Sequence, residues 1–213
     1  MEAIVAANNA ARGRPAPIDP RPYDGELPLA ALTCIDPRLN HLFPRCLGLA
    51  DDDFIWLRNA GNVITGPATS TVRSVAMSVF LKKAREIAVI GHSDCRMAQI
   101  GVNDLVDRMK ARGISRGSLP IANMHEFFGL FSNERANVIK GVGFLRTSPV
   151  IPHDAPIHGL LIDTPTGRLE WVINGYETTA APLQAHGTPE QMSAPYAPGP
   201  VPSVGHRSQS PHR

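Results

Sequence analysis

Three short apolar runs, residues 27–33, 54–57 and 86–90, each end in a cluster of polar, reactive or glycine-containing sequence. The clusters are Cys34-Ile35-Asp36-Pro37-Arg38, Arg58-Asn59-Ala60-Gly61-Asn62 and Gly91-His92-Ser93-Asp94-Cys95. Apolar runs of this length read as buried strands, and the helical patterns between or after them give the order of βαβ units. The expected fold is therefore α/β, a mostly parallel β-sheet flanked by helices. In open sheets of this kind ligands bind outside the carboxyl ends of the parallel strands, so the three clusters are expected to converge on one site.

The clearest helical pattern starts at Ser70 or Thr71 as N-cap and sets Val72, Val75, Ala76, Val79 and Phe80 on one core-packing stripe. Further helices are expected over residues 103–112, around 121–131 and over 135–145, followed by a hairpin that turns at Thr166-Gly167. A chain of 213 residues accommodates one sizeable α/β domain, here 27–178, together with tails. Residues 1–26 carry Pro15, Pro17, Pro20 and Pro22 and read as an N-terminal arm. Residues 179–213 are rich in Pro, Ser, Gly and His and cannot bury enough apolar surface to fold, so a disordered tail is expected.

Composition narrows the function. The net charge of +2, with no dense Lys/Arg run, argues against nucleic acid or an anionic membrane as partner and leaves small molecules. No apolar stretch approaches the roughly 18 residues of a membrane span, and the N-terminus lacks the order of a signal peptide, so a soluble, cytoplasmic protein is expected. The 3 cysteines are too few for a disulfide framework, which points to metal binding or catalysis.

Cys34, His92 and Cys95 together offer two soft thiolates and one imidazole, a tetrahedral zinc set with one position left open. His92-x-x-Cys95 is compact enough for one turn to bring both side chains to one ion, while Cys34 comes from a neighbouring strand end. Cys46 lies among Leu42, Phe43, Leu47 and Leu49, where it is expected to fill core volume and not to close the site. Asp36 and Arg38 are two residues apart, so in an extended segment their side chains point the same way and can form a bidentate ion pair. Held by Arg38, Asp36 would stay ionised beside the metal; released, it could itself take the open position.

In this order and spacing, Cys-x-Asp-x-Arg, Arg-Asn-Ala-Gly-Asn and Gly-His-x-x-Cys resemble the beta-class carbonic anhydrases, over about residues 27–176. The resemblance implies that Cys34, His92 and Cys95 bind one Zn2+ per chain, and that Asp36 with Arg38 is the catalytic dyad that keeps the fourth position open. It makes Arg58, Asn59, Ala60 and Gly61 a strand-end loop beside the substrate pocket. It implies a homodimer or higher even homo-oligomer clasped by the N-terminal arm, and reversible hydration of carbon dioxide to bicarbonate by zinc-bound hydroxide. Carbonyl sulfide or carbon disulfide hydrolysis on the same fold, and a non-catalytic zinc protein acting as an assembly module, are the alternatives. One departure stands out: the family usually has glycine after the second cysteine, and here Arg96 follows Cys95. Arg96 could line the entrance and bind an anion such as bicarbonate, could narrow the pocket, or could point outward to a surface carboxylate.

Overall fold

The computed structural model describes residues 3–6, 29–48, 54–118 and 121–178. Most of the expected arm and the whole of the expected tail from 179 onward lie outside the described residues. Five strands form one sheet in the order β2-β1-β3-β4-β5. They are β1 (Leu29–Cys34), β2 (Phe54–Asn59), β3 (Glu86–His92), β4 (Ile157–Ile162) and β5 (Leu169–Ile173). The first four run parallel, and β5 returns antiparallel to β4. The mostly parallel sheet read from the sequence is the one observed.

Burial explains why the central strands read as unbroken apolar runs. From Ala30 to Cys34 and from Ile87 to His92 every residue is buried, as it must be when helices cover both faces of a parallel sheet. On one face, Ile87 and Val89 pack with Leu32 against α2 (Ser70–Lys82) and α6 (Glu134–Arg146), through Val72, Val75, Ala76, Val138, Val142 and Leu145. On the other, Ala88 and Ile90 pack with Ala31 against Leu39 and Phe43 of α1 (Leu39–Leu47). Other helices among the described residues include α3 (Arg96–Gln99), α4 (Val102–Lys110), α5 (Met124–Phe128) and α7 (Gly175–Thr178). No helix among the described residues is long and apolar enough to cross a membrane.

Some boundaries differ from expectation. The N-cap of α2 is Thr69, one residue before the expected start, and Phe80 lies 57% exposed. Helical geometry accounts for the latter, since the buried arc is centred on Val72, Val75 and Ala76 and Phe80 falls at its edge. The helix expected around 121–131 shrinks to α5, because Gly129 adopts a left-handed conformation (φ 62°) and ends it. The hairpin forms where expected, with Gly167 at φ 71° and its amide donating to the Asp163 carbonyl at 2.8 Å.

The position of α6 depends on two glycines. A Cβ on Gly91 would stand 2.7 Å from Val138 Cγ2, and one on Gly159 would stand 2.8 Å from Val138 Cγ1. Val138 is β-branched and stiff in a helix, so it cannot turn aside. Gly159→Ala should therefore destabilise the protein by about 1–3 kcal/mol, read as a lower midpoint of urea unfolding at an unchanged slope.

Candidate metal centre

Strand order determines where a site can form. From β1 the chain crosses to β2 on one side, then returns to β3 on the other, so the connections leaving β1 and β3 diverge at their carboxyl ends. Cys34 is the last residue of β1 and His92 the last of β3, and Cys95 follows after a turn. The ligand atoms of Cys34, His92 and Cys95 all lie within 4.8 Å of one another, and all three residues are buried. Cys46 is not part of this group; it is half-buried against the hairpin turn, where a Cβ on Gly167 would stand 3.0 Å from its sulfur.

The chemistry of these donors fits a metal ion. His92 Nδ1 lies 3.0 Å from the Ser93 carbonyl, which can only accept, so the ring proton belongs on Nδ1. That leaves Nε2 as a bare lone pair, buried and with no hydrogen-bond partner among the described residues. The two sulfurs share a proton unequally. A hydrogen bond from Cys95 is the largest cause that holds the Cys34 thiol well below the usual thiol range, reinforced by the Asp36 and Gly61 amides against the opposing effect of burial. Cys95 is correspondingly pushed up, first by the Cys34 sulfur and then by burial. The second thiol gives up its proton readily only when a cation stands beside it, which is what a thiolate metal site supplies.

The surrounding residues hold this geometry. Gly61 sits in a turn at φ 73° and donates its amide to Cys34 Sγ at 3.3 Å. Its carbonyl accepts from Asn137 Nδ2 of α6 at 2.9 Å. Any Cβ on Gly61 would meet Phe131 at 2.8 Å and Met97 at 3.1 Å, so only glycine fits. Asn59 brackets the same turn through bonds of 2.8 and 2.9 Å to the Val63 backbone. Ala60 is exposed beside it. Arg58 donates to the Cys34 carbonyl at 2.9 Å, to the Asp36 carbonyl at 2.7 Å and to Asn40 Oδ1, so its guanidinium clamps the backbone on both sides of Ile35. Ser93 ties the His92–Cys95 turn to the hairpin, accepting from the Thr164 amide at 2.9 Å and donating to Asp163 at 3.2 Å.

Asp36 and Arg38 do pair, with Arg38 Nη2 at 2.8 Å and Nε at 3.1 Å from the carboxylate. The geometry is that of a turn and not the extended segment expected. Pro37 fixes the bend, the Arg38 amide donates to Asp36 Oδ1 at 2.9 Å, and α1 begins directly afterwards. Arg38 holds the Asp36 carboxyl below the usual carboxylate range. Arg96 is exposed at the start of α3, and its Nη1 donates to Gln99 Oε1 at 3.3 Å. Three residues close to the site had no role in the sequence reading: Asn137, Asp94, which pairs with Arg38, and Glu134, whose Oε1 accepts the Cys95 amide at 3.3 Å. Only Asp94 stood inside a motif; the other two come from α6, about 40 residues further along the chain.

The carbonic anhydrase family model matches residues 29–169 of this chain. The chain belongs to the beta-carbonic anhydrase family. It is 34% identical over 153 residues to YtiB of Bacillus subtilis, provisionally named a carbonic anhydrase, covering 70% of this chain and 82% of YtiB. It is 28% identical over 158 residues to the carbon disulfide hydrolase of Acidianus sp., covering 66% of this chain and 75% of that enzyme. The crystal structure of beta-carbonic anhydrase isoform I from Trichomonas vaginalis superposes with a TM-score of 0.74 at 28% identity, covering 82% of this chain and 98% of that one.

With three ligands there is no redundancy. Cys34→Ser, His92→Ala and Cys95→Ser should each lower metal affinity by more than about 100-fold, measured as metal per chain after dialysis against a weak chelator, whereas Cys46→Ser should retain the full content.

Proposed function

We propose that this beta-carbonic anhydrase family member catalyses the reversible hydration of carbon dioxide to bicarbonate, with one Zn2+ held by Cys34, His92 and Cys95. The observation that carries the reading is the buried donor set with its unpartnered His92 Nε2 beside an Asp36 carboxylate already engaged by Arg38. Two sulfurs and one imidazole are a zinc set with one position left open. Bound there, zinc supplies Lewis acidity and makes a coordinated water nucleophilic near neutral pH.

The chain's own residues do the rest. Asp36, kept ionised by Arg38, accepts a hydrogen bond from the nucleophile and orients its lone pair toward the substrate carbon. The same ion pair keeps Asp36 from taking the open position itself. Arg58 and Asn59 shape the wall of the pocket by fixing backbone, and Ala60 and Gly61 present that wall to a small linear substrate. Arg96, exposed near the ligand turn, adds positive charge that draws anions such as bicarbonate toward the entrance. The protein works as a homodimer or higher even oligomer; the exposed apolar residues Met77, Phe80 and Leu81 of α2 favour a subunit contact over solvent.

A second reading, hydrolysis of carbon disulfide or carbonyl sulfide, is favoured by the identity to a carbon disulfide hydrolase. These substrates are also linear, and the same nucleophile attacks the same central carbon. Stopped-flow carbon dioxide hydration and sulfide release from carbonyl sulfide and carbon disulfide, run on one zinc-loaded preparation, separate the two; sulfide release without hydration overturns the leading reading.

Asp36→Ala and Arg38→Ala should each leave zinc bound and lower kcat/KM on the order of 100-fold. The double variant should be no worse than the poorer single one, because a single ion pair is lost in every case. Normal turnover in both single variants would remove the pair from the mechanism.

A further inference from the structure

The Asp36–Arg38 pair does not stand alone. Asp94, in the turn between His92 and Cys95, has φ 55°, a left-handed conformation that Asp tolerates better than most residues. From there its carboxylate Oδ2 accepts from Arg38 Nη1 at 2.9 Å, and its carbonyl accepts from Arg38 Nη2 at 2.9 Å. Gln99 braces Asp94 from behind, donating Nε2 to Asp94 Oδ1 while its Oε1 accepts from Arg96. A continuous chain thus runs Arg96–Gln99–Asp94–Arg38–Asp36 across the mouth of the crevice between β1 and β3.

The exposures say why a second carboxylate matters. The Arg38 side chain is 45% exposed and that of Asp36 only 14% exposed. An exposed ion pair by itself contributes little and leaves a long side chain free to swing into water. A guanidinium gripped along two edges by two carboxylates and a carbonyl has one orientation left, and several charges in a network hold geometry better than an isolated pair. Arg38 also links the two segments that carry the metal ligands, because Asp36 is two residues beyond Cys34 and Asp94 is one residue before Cys95.

We propose that Asp94, braced by Gln99, is a positioning residue that locks the Arg38 guanidinium against Asp36. The inference rests on the function proposed above for the Asp36–Arg38 pair, and it assigns Arg96 to the outer end of the brace. Asp94 touches neither substrate nor reacting atoms; it acts through Arg38.

The test uses the zinc-loaded full chain as wild type, Asp94→Ala, Asp94→Asn, Gln99→Ala, Arg38→Ala and the Asp94→Ala/Arg38→Ala pair. The Arg38 Nε–H resonance in nitrogen-15 spectra, zinc per chain and steady-state kinetics are read on each. The wild-type Nε–H signal should be sharp and slow to exchange. It should broaden or vanish in Asp94→Ala and weaken in Asp94→Asn and Gln99→Ala, with zinc unchanged. For carbon dioxide hydration, kcat should fall about tenfold in Asp94→Ala with KM little altered, and the double variant should lose no more than Arg38→Ala alone. An unchanged Arg38 signal in Asp94→Ala overturns the proposal, as do multiplicative kcat losses in the double variant. Should Asp94→Ala fail to fold, the two milder variants decide: a weakened Arg38 signal at full zinc content supports positioning, and loss of zinc in both overturns it in favour of a purely structural role. A wild type that does not hydrate carbon dioxide sinks the proposed function, while the Arg38 resonance still decides the positioning role.

Discussion

The packing of two cysteine sulfurs and one imidazole into a buried crevice is the constraint on which the rest of the structure turns. A thiolate in an apolar interior is costly unless charge or hydrogen bonds compensate it. Cys34 is compensated by the Gly61 amide and by Cys95. Both donors are in turn fixed by something else. Gly61 is held by Asn137 of α6 and Cys95 by Glu134 of the same helix, while the Ser93 carbonyl fixes the His92 ring. The close seating of α6 on the glycines of β3 and β4 therefore does more than fill the core, because it brings Glu134 and Asn137 within reach of the strand ends.

Around this buried centre lies an exposed ring of charge. Arg58 and Arg38 do different work although both stand beside the same segment. Arg58 holds backbone carbonyls and so shapes the path from Cys34 to Asp36, whereas Arg38 holds carboxylates and so sets the charge state and direction of Asp36. Bidentate, planar donation suits arginine for both tasks, and lysine could not reproduce either. The division separates the floor of the site from its rim: backbone bonds fix the floor, and side-chain ion pairs frame the rim.

Much of this was legible in the sequence. The strand ends were readable to within two residues, because a parallel strand buried on both faces is apolar until it nears the site: the expected runs stop at 33, 57 and 90, and the strands themselves at Cys34, Asn59 and His92. The clustering of Cys34, His92 and Cys95 was readable because soft donors at strand ends have few other uses. Cys46, whose sequence neighbours are apolar, lies outside that cluster and is half-buried beside Gly167. Phe80 was misplaced because a stripe of five apolar residues on a helix is wider than the arc the core can cover, and only the packed sheet decides which edge stays outside.

The sequence by itself determined the order of strands and helices, the three donors and the Asp36–Arg38 pair, since these rest on periodicity and on residues close together in the chain. Tertiary structure alone decided that Glu134 and Asn137 serve the site, that Arg58 is a backbone clamp, and that Asp94 faces Arg38 across 56 residues of chain. These contacts depend on which strands lie side by side and on how closely α6 approaches them. Side chains far apart in sequence meet only once the sheet order and the helix seating are set, and no local pattern records the distance between them.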